Sequence, residues 1–172
     1  MIIDTNFQTP VPVCDYMASL IPQHSKSIFE PTPGIGNMIQ SVIETGFFNI
    51  ESAEDFFLYD KSKRYDTIIM NPPFSEKSAF MYNAPEDIKG KGMRVGYYIL
   101  TECMKMSDNV IALMPWFTLS DSDVRLRYLK GFGMKSLTAL PRKTFQYARI
   151  QTVVIELQKG YQGETVFKTL NF

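Results

Sequence analysis

Tyr65-Asp66-Thr67-Ile68-Ile69-Met70-Asn71-Pro72-Pro73-Phe74 is a short apolar strand that runs directly into an asparagine and two prolines. A run of β-branched residues bounded by turn formers reads as a buried strand. The tetrapeptide after it makes a socket for a planar amine. The Asn71 side-chain carbonyl and the Pro72 backbone carbonyl can each accept one hydrogen of an sp² amino group, and Phe74 offers a ring face for stacking. Two prolines hold the backbone so that both acceptors converge, and neither carries an N–H that competes for a carbonyl. Pro72 also pushes Asn71 toward extended geometry. The plainer reading, a strand-to-turn with two prolines, accounts for Pro72-Pro73 but not for the company they keep.

Outward from that strand the chain alternates between helical and extended patterns, which argues for a mostly parallel sheet covered by helices on both faces. Before it come a helix at Pro12–Leu20, a strand at Ser27–Glu30, a helix at Asn37–Thr45 stopped by Gly46, and a strand around Phe48–Ala53. After it come a polar connector from Ser75 to Gly92, a helix at Arg94–Met106, a strand at Asn109–Met114 and a helix near Asp121–Lys130. Strands at Ser136–Ala139 and Gln151–Gln158 and an edge strand at Thr165–Leu170 complete the pattern. There is no internal repeat.

The 172 residues, 45% of them hydrophobic, are enough to bury one substantial core, so a single domain over 1–172 is expected. Cys14 and Cys103 are too few for a disulfide framework, and His24 is the only histidine, so no metal cluster is expected. No stretch reads as a secretory leader or a membrane span, which predicts a cytoplasmic chain with reduced thiols. Charge is unevenly placed. Residues 1–60 carry Asp4, Asp15, Glu30, Glu44, Glu51, Glu54, Asp55 and Asp60 against Lys26, a balance that suits a cationic ligand. From Val124 to Ile150 stand Arg125, Arg127, Lys130, Lys135, Arg142, Lys143 and Arg149 without an acid, interleaved with Tyr128, Phe132, Phe145 and Tyr147. Basic residues among aromatics predict a phosphate-and-base surface, the alternative being scattered solvated charge.

The stretch YDTIIMNPPF resembles the catalytic motif of the amino-methyltransferases that use S-adenosylmethionine (SAM) to methylate N6 of adenine in DNA. Thr9-Pro10 resembles the family's N-terminal motif near the methionine end of SAM, and Phe29-Glu30-Pro31-Thr32-Pro33-Gly34-Ile35-Gly36-Asn37 resembles its Gly-rich cofactor loop. Asp55 matches the acid at the adenine end of SAM. Thr144-Phe145 with Gln151–Leu157 resembles the last motif, whose aromatic packs on a flipped base. The resemblance spans nearly the whole chain. It implies a Rossmann-like SAM-dependent methyltransferase fold, with Asn71, Pro72, Pro73 and Phe74 as catalytic residues. It places the cofactor on Thr9, Pro10, Glu30, Pro31, Gly34, Gly36, Glu54, Asp55 and Asn71, and the substrate on Phe74, Phe145, Arg142 and Lys143. Taken alone, Gly34 and Gly36 also fit a helix-capping turn, Asp55 a solvated strand end, and Phe145 a core position.

The chain departs from the family between Gly36 and Asp55, where one early strand-helix unit is missing. The strand near Phe48 is therefore expected beside Ser27–Glu30, with Glu51, Glu54 or Asp55 taking over the ribose of SAM. The connector from Ser75 to Gly92 reads as a lid or as a surface loop. With no reading domain after Phe172, sequence specificity would need a protein partner or a substrate recognised by shape. Three functions follow: adenine-N6 methylation of DNA, methylation of RNA adenine or of protein glutamine, and a catalytically inactive nucleic-acid-binding or regulatory subunit.

Overall fold

The computed structural model describes residues 8–74, 81–146 and 150–172. Residues 75–80 of the connector, and Asp4, Tyr147 and Arg149, lie outside them. In chain order the elements are α1 (Val11–Ser19), β1 (Ile28–Glu30), α2 (Asn37–Glu44), β2 (Ile50–Ser52), β3 (Thr67–Met70) and α3 (Gly92–Met106). They continue with β4 (Asn109–Pro115), α4 (Phe117–Ser120), α5 (Asp123–Gly133), β5 (Met134–Ala139), β6 (Thr152–Gln158) and β7 (Val166–Thr169).

The described residues form one seven-stranded sheet of order β2-β1-β3-β4-β6-β5-β7. Its centre shows why β3 and β4 are apolar at every step. Ile68, Met70, Val110, Ala112 and Met114 face a core closed by Val95, Ile99, Leu100 and Cys103 of α3 and by Leu129 of α5. Ile69, Ile111 and Leu113 point the other way, into a core with Val13, Cys14 and Met17 of α1 and Met38 and Val42 of α2. A strand buried on both faces loses the polar alternation of a half-exposed one. Each such isoleucine or leucine contributes about 1.5–3 kcal/mol by leaving water.

The strand after Phe48 contracts to β2 and takes the slot beside β1, pairing Ile28 with Ile50 and Glu30 with Ser52 in parallel. The expected helix at Asp121–Lys130 is α5, shifted to Asp123–Gly133, and a separate one-turn α4 precedes it. The break falls at Ser122, whose side chain accepts the Arg125 N–H at 3.2 Å and so starts a new helix at Asp123. β6 is antiparallel to both β4 and β5. The described residues of the link between β5 and β6, 140–146 and 150–151, carry no helix, and the two strands pair as antiparallel neighbours. β7 is the edge strand, parallel to β5 and exposed along its length. No helix among the described residues is long and apolar enough to cross a membrane.

This topology sets the position of everything chemical. β1, β3, β4 and β5 run the same way, so Glu30, Asn71, Trp116 and the turn at Arg142 and Lys143 all emerge at one edge of the sheet. Ligands of open α/β sheets bind outside the carboxyl ends of the strands.

Candidate active site

Asn71 leaves β3 with its side chain tied down at one end only. Its Nδ2 donates to Thr9 Oγ1 at 2.8 Å, and its backbone carbonyl accepts from Thr32 Oγ1 at 3.1 Å. Its Oδ1 is buried and has no hydrogen-bond partner among the described residues. A buried acceptor left unpaired costs about 1–3 kcal/mol, a cost that a ligand donor would relieve. Pro72, Pro73 and Phe74 then pack under α3. They can do so because α3 has a buried glycine at the point of contact. A Cβ on Gly96 would stand 2.8 Å from the Pro73 carbonyl oxygen, 3.6 Å from Phe74 Cδ1 and 3.7 Å from Pro72 Cγ. Any side chain at Gly96 would push the tetrapeptide off the helix. Phe74 is half-buried against the α3 core, and part of its surface stays open.

Beside Asn71 lies a polar cavity of about 60 Å³, lined by Gln8, Thr9, Glu30, Thr32, Gly34, Asn37 and Asn71 among others. Glu30, at the end of β1, is 2% exposed. Its Oε1 accepts from Thr32 N at 2.8 Å and Thr32 Oγ1 at 3.3 Å. Burial pushes its carboxyl up from 4.5 to about 8, and the two Thr32 bonds only partly offset that. The Gly-rich loop closes the opposite wall. Gly34 has φ 55°, and a Cβ there would lie 2.3 Å from Gln8 Oε1, which accepts the Ile35 N–H at 3.0 Å. Gly36, at φ 93°, turns the chain into α2. The first residue of α2, Asn37, donates its amide to the Thr9 carbonyl at 3.0 Å.

The cavity thus brings Thr9, Glu30 with Gly34, and Asn71 together from three separate segments. Pro10 stands behind it, its carbonyl accepting the Val13 and Cys14 N–H groups that open α1, and Pro31 is buried at the turn after β1. Sequence reasoning missed Gln8, Thr32, Asn37 and Gly96. Polar neighbours of motif residues carry no signal until the loops are folded against one another. A helical glycine shows its purpose only against the backbone it meets.

The three acids offered for the ribose separate. Glu51 stands on β2 beside Phe29 rather than in the cavity, and its Oε2 accepts from Tyr65 at 2.7 Å, Tyr59 at 2.8 Å and Lys63 at 3.2 Å. Those bonds, Tyr65 first, hold its carboxyl below the ordinary value. The two tyrosines stack on Phe29 at 4.8 Å and 4.7 Å, so this cluster fastens the loop between β2 and β3. Glu54 is exposed. Asp55 is half-buried, its Oδ1 accepting from Phe57 N and its Oδ2 from Asn83 Nδ2, each at 2.8 Å. The second of these bonds docks the far part of the connector on the loop after β2.

Two expectations for the substrate side change. Phe145 is 6% exposed and packs with α1 and α2 residues, on the face away from Phe74, which packs toward α3. Its ring serves as core, because the turn through Thr144 folds it back under the sheet edge. Truncating Phe145 to Ala should therefore cost about 3–5 kcal/mol in a denaturant titration, as a buried aromatic does. A loss under about 1 kcal/mol would restore the base-contact reading. The basic segment is also partly spent. Arg125 donates to the Phe117 and Thr118 carbonyls at 2.9 Å and 3.0 Å, Arg127 pairs with Asp123, Lys130 bonds Gly163 and Thr165, and Lys135 pairs with Glu156 at 3.2 Å. Arg142 and Lys143 remain exposed at the edge that carries Asn71. Among the described residues no group of His, Cys, Asp and Glu could hold a metal ion.

No protein-family model and no curated protein matches the chain. Solved structures do. The modification subunit of a putative type I restriction enzyme from Vibrio vulnificus is 20% identical, with TM-score 0.67, over 96% of this chain and 47% of its own. The methyltransferase subunit of a type I restriction-modification system from Streptococcus thermophilus is 17% identical, with TM-score 0.68, over 95% of this chain and 47% of its own. A putative class I S-adenosylmethionine-dependent methyltransferase from Listeria monocytogenes is 17% identical, with TM-score 0.67, over 98% and 67%. The chain spans about half the length of the two restriction-system subunits. What it shares with all three is architecture: its α/β sheet and covering helices form the fold of these methyltransferases.

Proposed function

We propose that this chain transfers a methyl group from S-adenosylmethionine to the N6 amino group of adenine in DNA. The observation that carries the reading is Asn71 Oδ1, a buried acceptor with no partner among the described residues, at the carboxyl end of β3 beside a cavity that holds a buried carboxyl. The cavity residues fit the methionine end of the cofactor. Glu30 and the carbonyl oxygens around it suit a cationic head, while Thr9 and Gly34 form its walls. The cofactor is larger than this cavity, so its nucleoside falls to Glu54 and Asp55. Each oxygen of Asp55 already accepts one bond and has a lone pair for a second.

When bound, the cofactor supplies an activated methyl on a sulfonium. The protein's part is to hold the amine. Asn71 Oδ1 and the Pro72 carbonyl take its two hydrogens, which draws the nitrogen out of conjugation and turns its lone pair toward the methyl. Phe74 supports the ring, and an adenine in duplex DNA must leave the stack to reach it. Positioning and electrostatics then lower the barrier without an acid or base of unusual strength. Arg142 and Lys143 are the exposed cations at this edge for the phosphates.

The test is transfer of a labelled methyl into separate pools of DNA, RNA and protein. Label recovered as N6-methyladenine from digested DNA supports the proposal. Label in RNA or in glutamine moves the same socket to another substrate. Cofactor binding without label in any pool leaves the regulatory reading.

A further inference from the structure

We propose that Thr9 is a positioning residue for the reaction: its hydroxyl holds the Asn71 amide with the carbonyl end aimed at the incoming amine. The inference rests on the function proposed above and names what sets the direction of its main acceptor. A primary amide has two ends of nearly equal size and opposite character. Rotated half a turn, Asn71 would present an NH₂ to an NH₂, and transfer would stop. Nothing within Asn71-Pro72-Pro73-Phe74 decides between the two.

The nitrogen end is held from 62 positions earlier in the chain, where Thr9 Oγ1 accepts the Asn71 Nδ2 hydrogen at 2.8 Å. A hydroxyl can accept from an N–H or donate to a carbonyl, but only the first placement leaves an acceptor, and not a second donor, facing the amine. With the nitrogen end so engaged, Oδ1 is left buried and open to a ligand donor. The alternative end-for-end placement would leave an NH₂ without an acceptor as the amine arrives.

Thr9 can serve as an anchor because it is itself fixed. It is 6% exposed, and its carbonyl accepts from Asn37 Nδ2 at 3.0 Å and from the Cys14 thiol at 3.6 Å. Its neighbour Gln8 accepts the Ile35 N–H of the Gly-rich loop at 3.0 Å. Thr32 holds the Asn71 backbone carbonyl from the same loop, at 3.1 Å. The N-terminal segment therefore laces the cofactor loop to the amine socket, and an acceptor held at two points loses little freedom when the substrate binds.

The test compares the full chain with Thr9→Val, which keeps the shape and removes the hydroxyl, and with Thr9→Ser, which restores it. Thr9→Ala stands in should the valine variant fail to fold. The Asn71 side-chain NH₂ pair is identified in ¹⁵N spectra by its loss in Asn71→Asp. In Thr9→Val this pair should shift and exchange faster with solvent. Single-turnover transfer at saturating SAM should fall by about 100-fold. Thr9→Ser should recover both signal and rate. An unchanged NH₂ pair and rate in Thr9→Val would overturn the proposal, and so would a Thr9→Ser variant as impaired as Thr9→Val. A wild-type chain that transfers no methyl to any pool would remove the proposed function, and the NH₂ signals would then decide the role of Thr9 by themselves.

Discussion

Asn71→Ala is expected to slow single-turnover methyl transfer by about 100- to 1,000-fold, the range for removing one preorganised group that acts at the reacting centre. Binding of SAM, read by calorimetry, should hardly change, since the side chain faces the amine rather than the cofactor's bulk. A third readout separates this role from a structural one. The substitution removes one hydrogen bond to Thr9, worth about 0.5–1.5 kcal/mol, but also removes a buried unpaired oxygen that costs about 1–3 kcal/mol. The variant should therefore be no less stable than the parent chain in a urea titration. A slow and destabilised variant would mean that Asn71 holds the fold together, and a fully active one would remove the socket from the mechanism.

Much of the fold was legible because the central strands are buried on both faces. Ile68–Met70 and Val110–Met114 are apolar without interruption, and the sheet places them side by side where such runs belong. Element ends were harder to read, because they depend on single contacts. Ser122 caps α5 through its bond to the Arg125 N–H and so moves the start of the expected helix from Asp121 to Asp123. The direction of β6 was not legible at all, since strand orientation follows from the connection and not from the pattern within the strand. The site divided along the same line. Thr9, Glu30, Gly34 and Asn71 lie on one cavity, each in a segment that the family resemblance had singled out. Glu51 and Phe145 looked equally eligible in sequence. Glu51 meets two tyrosines and a lysine across the end of the sheet, and Phe145 turns into the core. Both outcomes depend on partners that other segments of the fold supply. In the basic segment four cations found oxygen partners, and Arg142 and Lys143 show none among the described residues.

Glu30 should give the protein two pH dependences of opposite sign. Its carboxyl stands at about 8 in the folded chain against 4.5 ordinarily, so between those values the folded state holds a proton that the unfolded chain has released. Stability from this group is full below about pH 4.5, falls as pH rises by up to about 1.4 kcal/mol per unit, and levels off above about pH 8. Glu30→Gln removes the penalty, so its stability relative to the parent should grow from pH 5 to 8 in denaturant titrations, by at most about that slope. Cofactor binding should run the other way. A cationic head is attracted by the carboxylate and not by the acid, so affinity should rise by up to about tenfold per pH unit until near pH 8 and then plateau. In Glu30→Gln the affinity should be low and flat. A parent chain whose affinity for SAM is already flat between about pH 6 and 9 would mean that Glu30 does not meet the cofactor's cation. The acid is buried within a step of the proposed reaction, and it costs the fold stability at the pH where it would bind best.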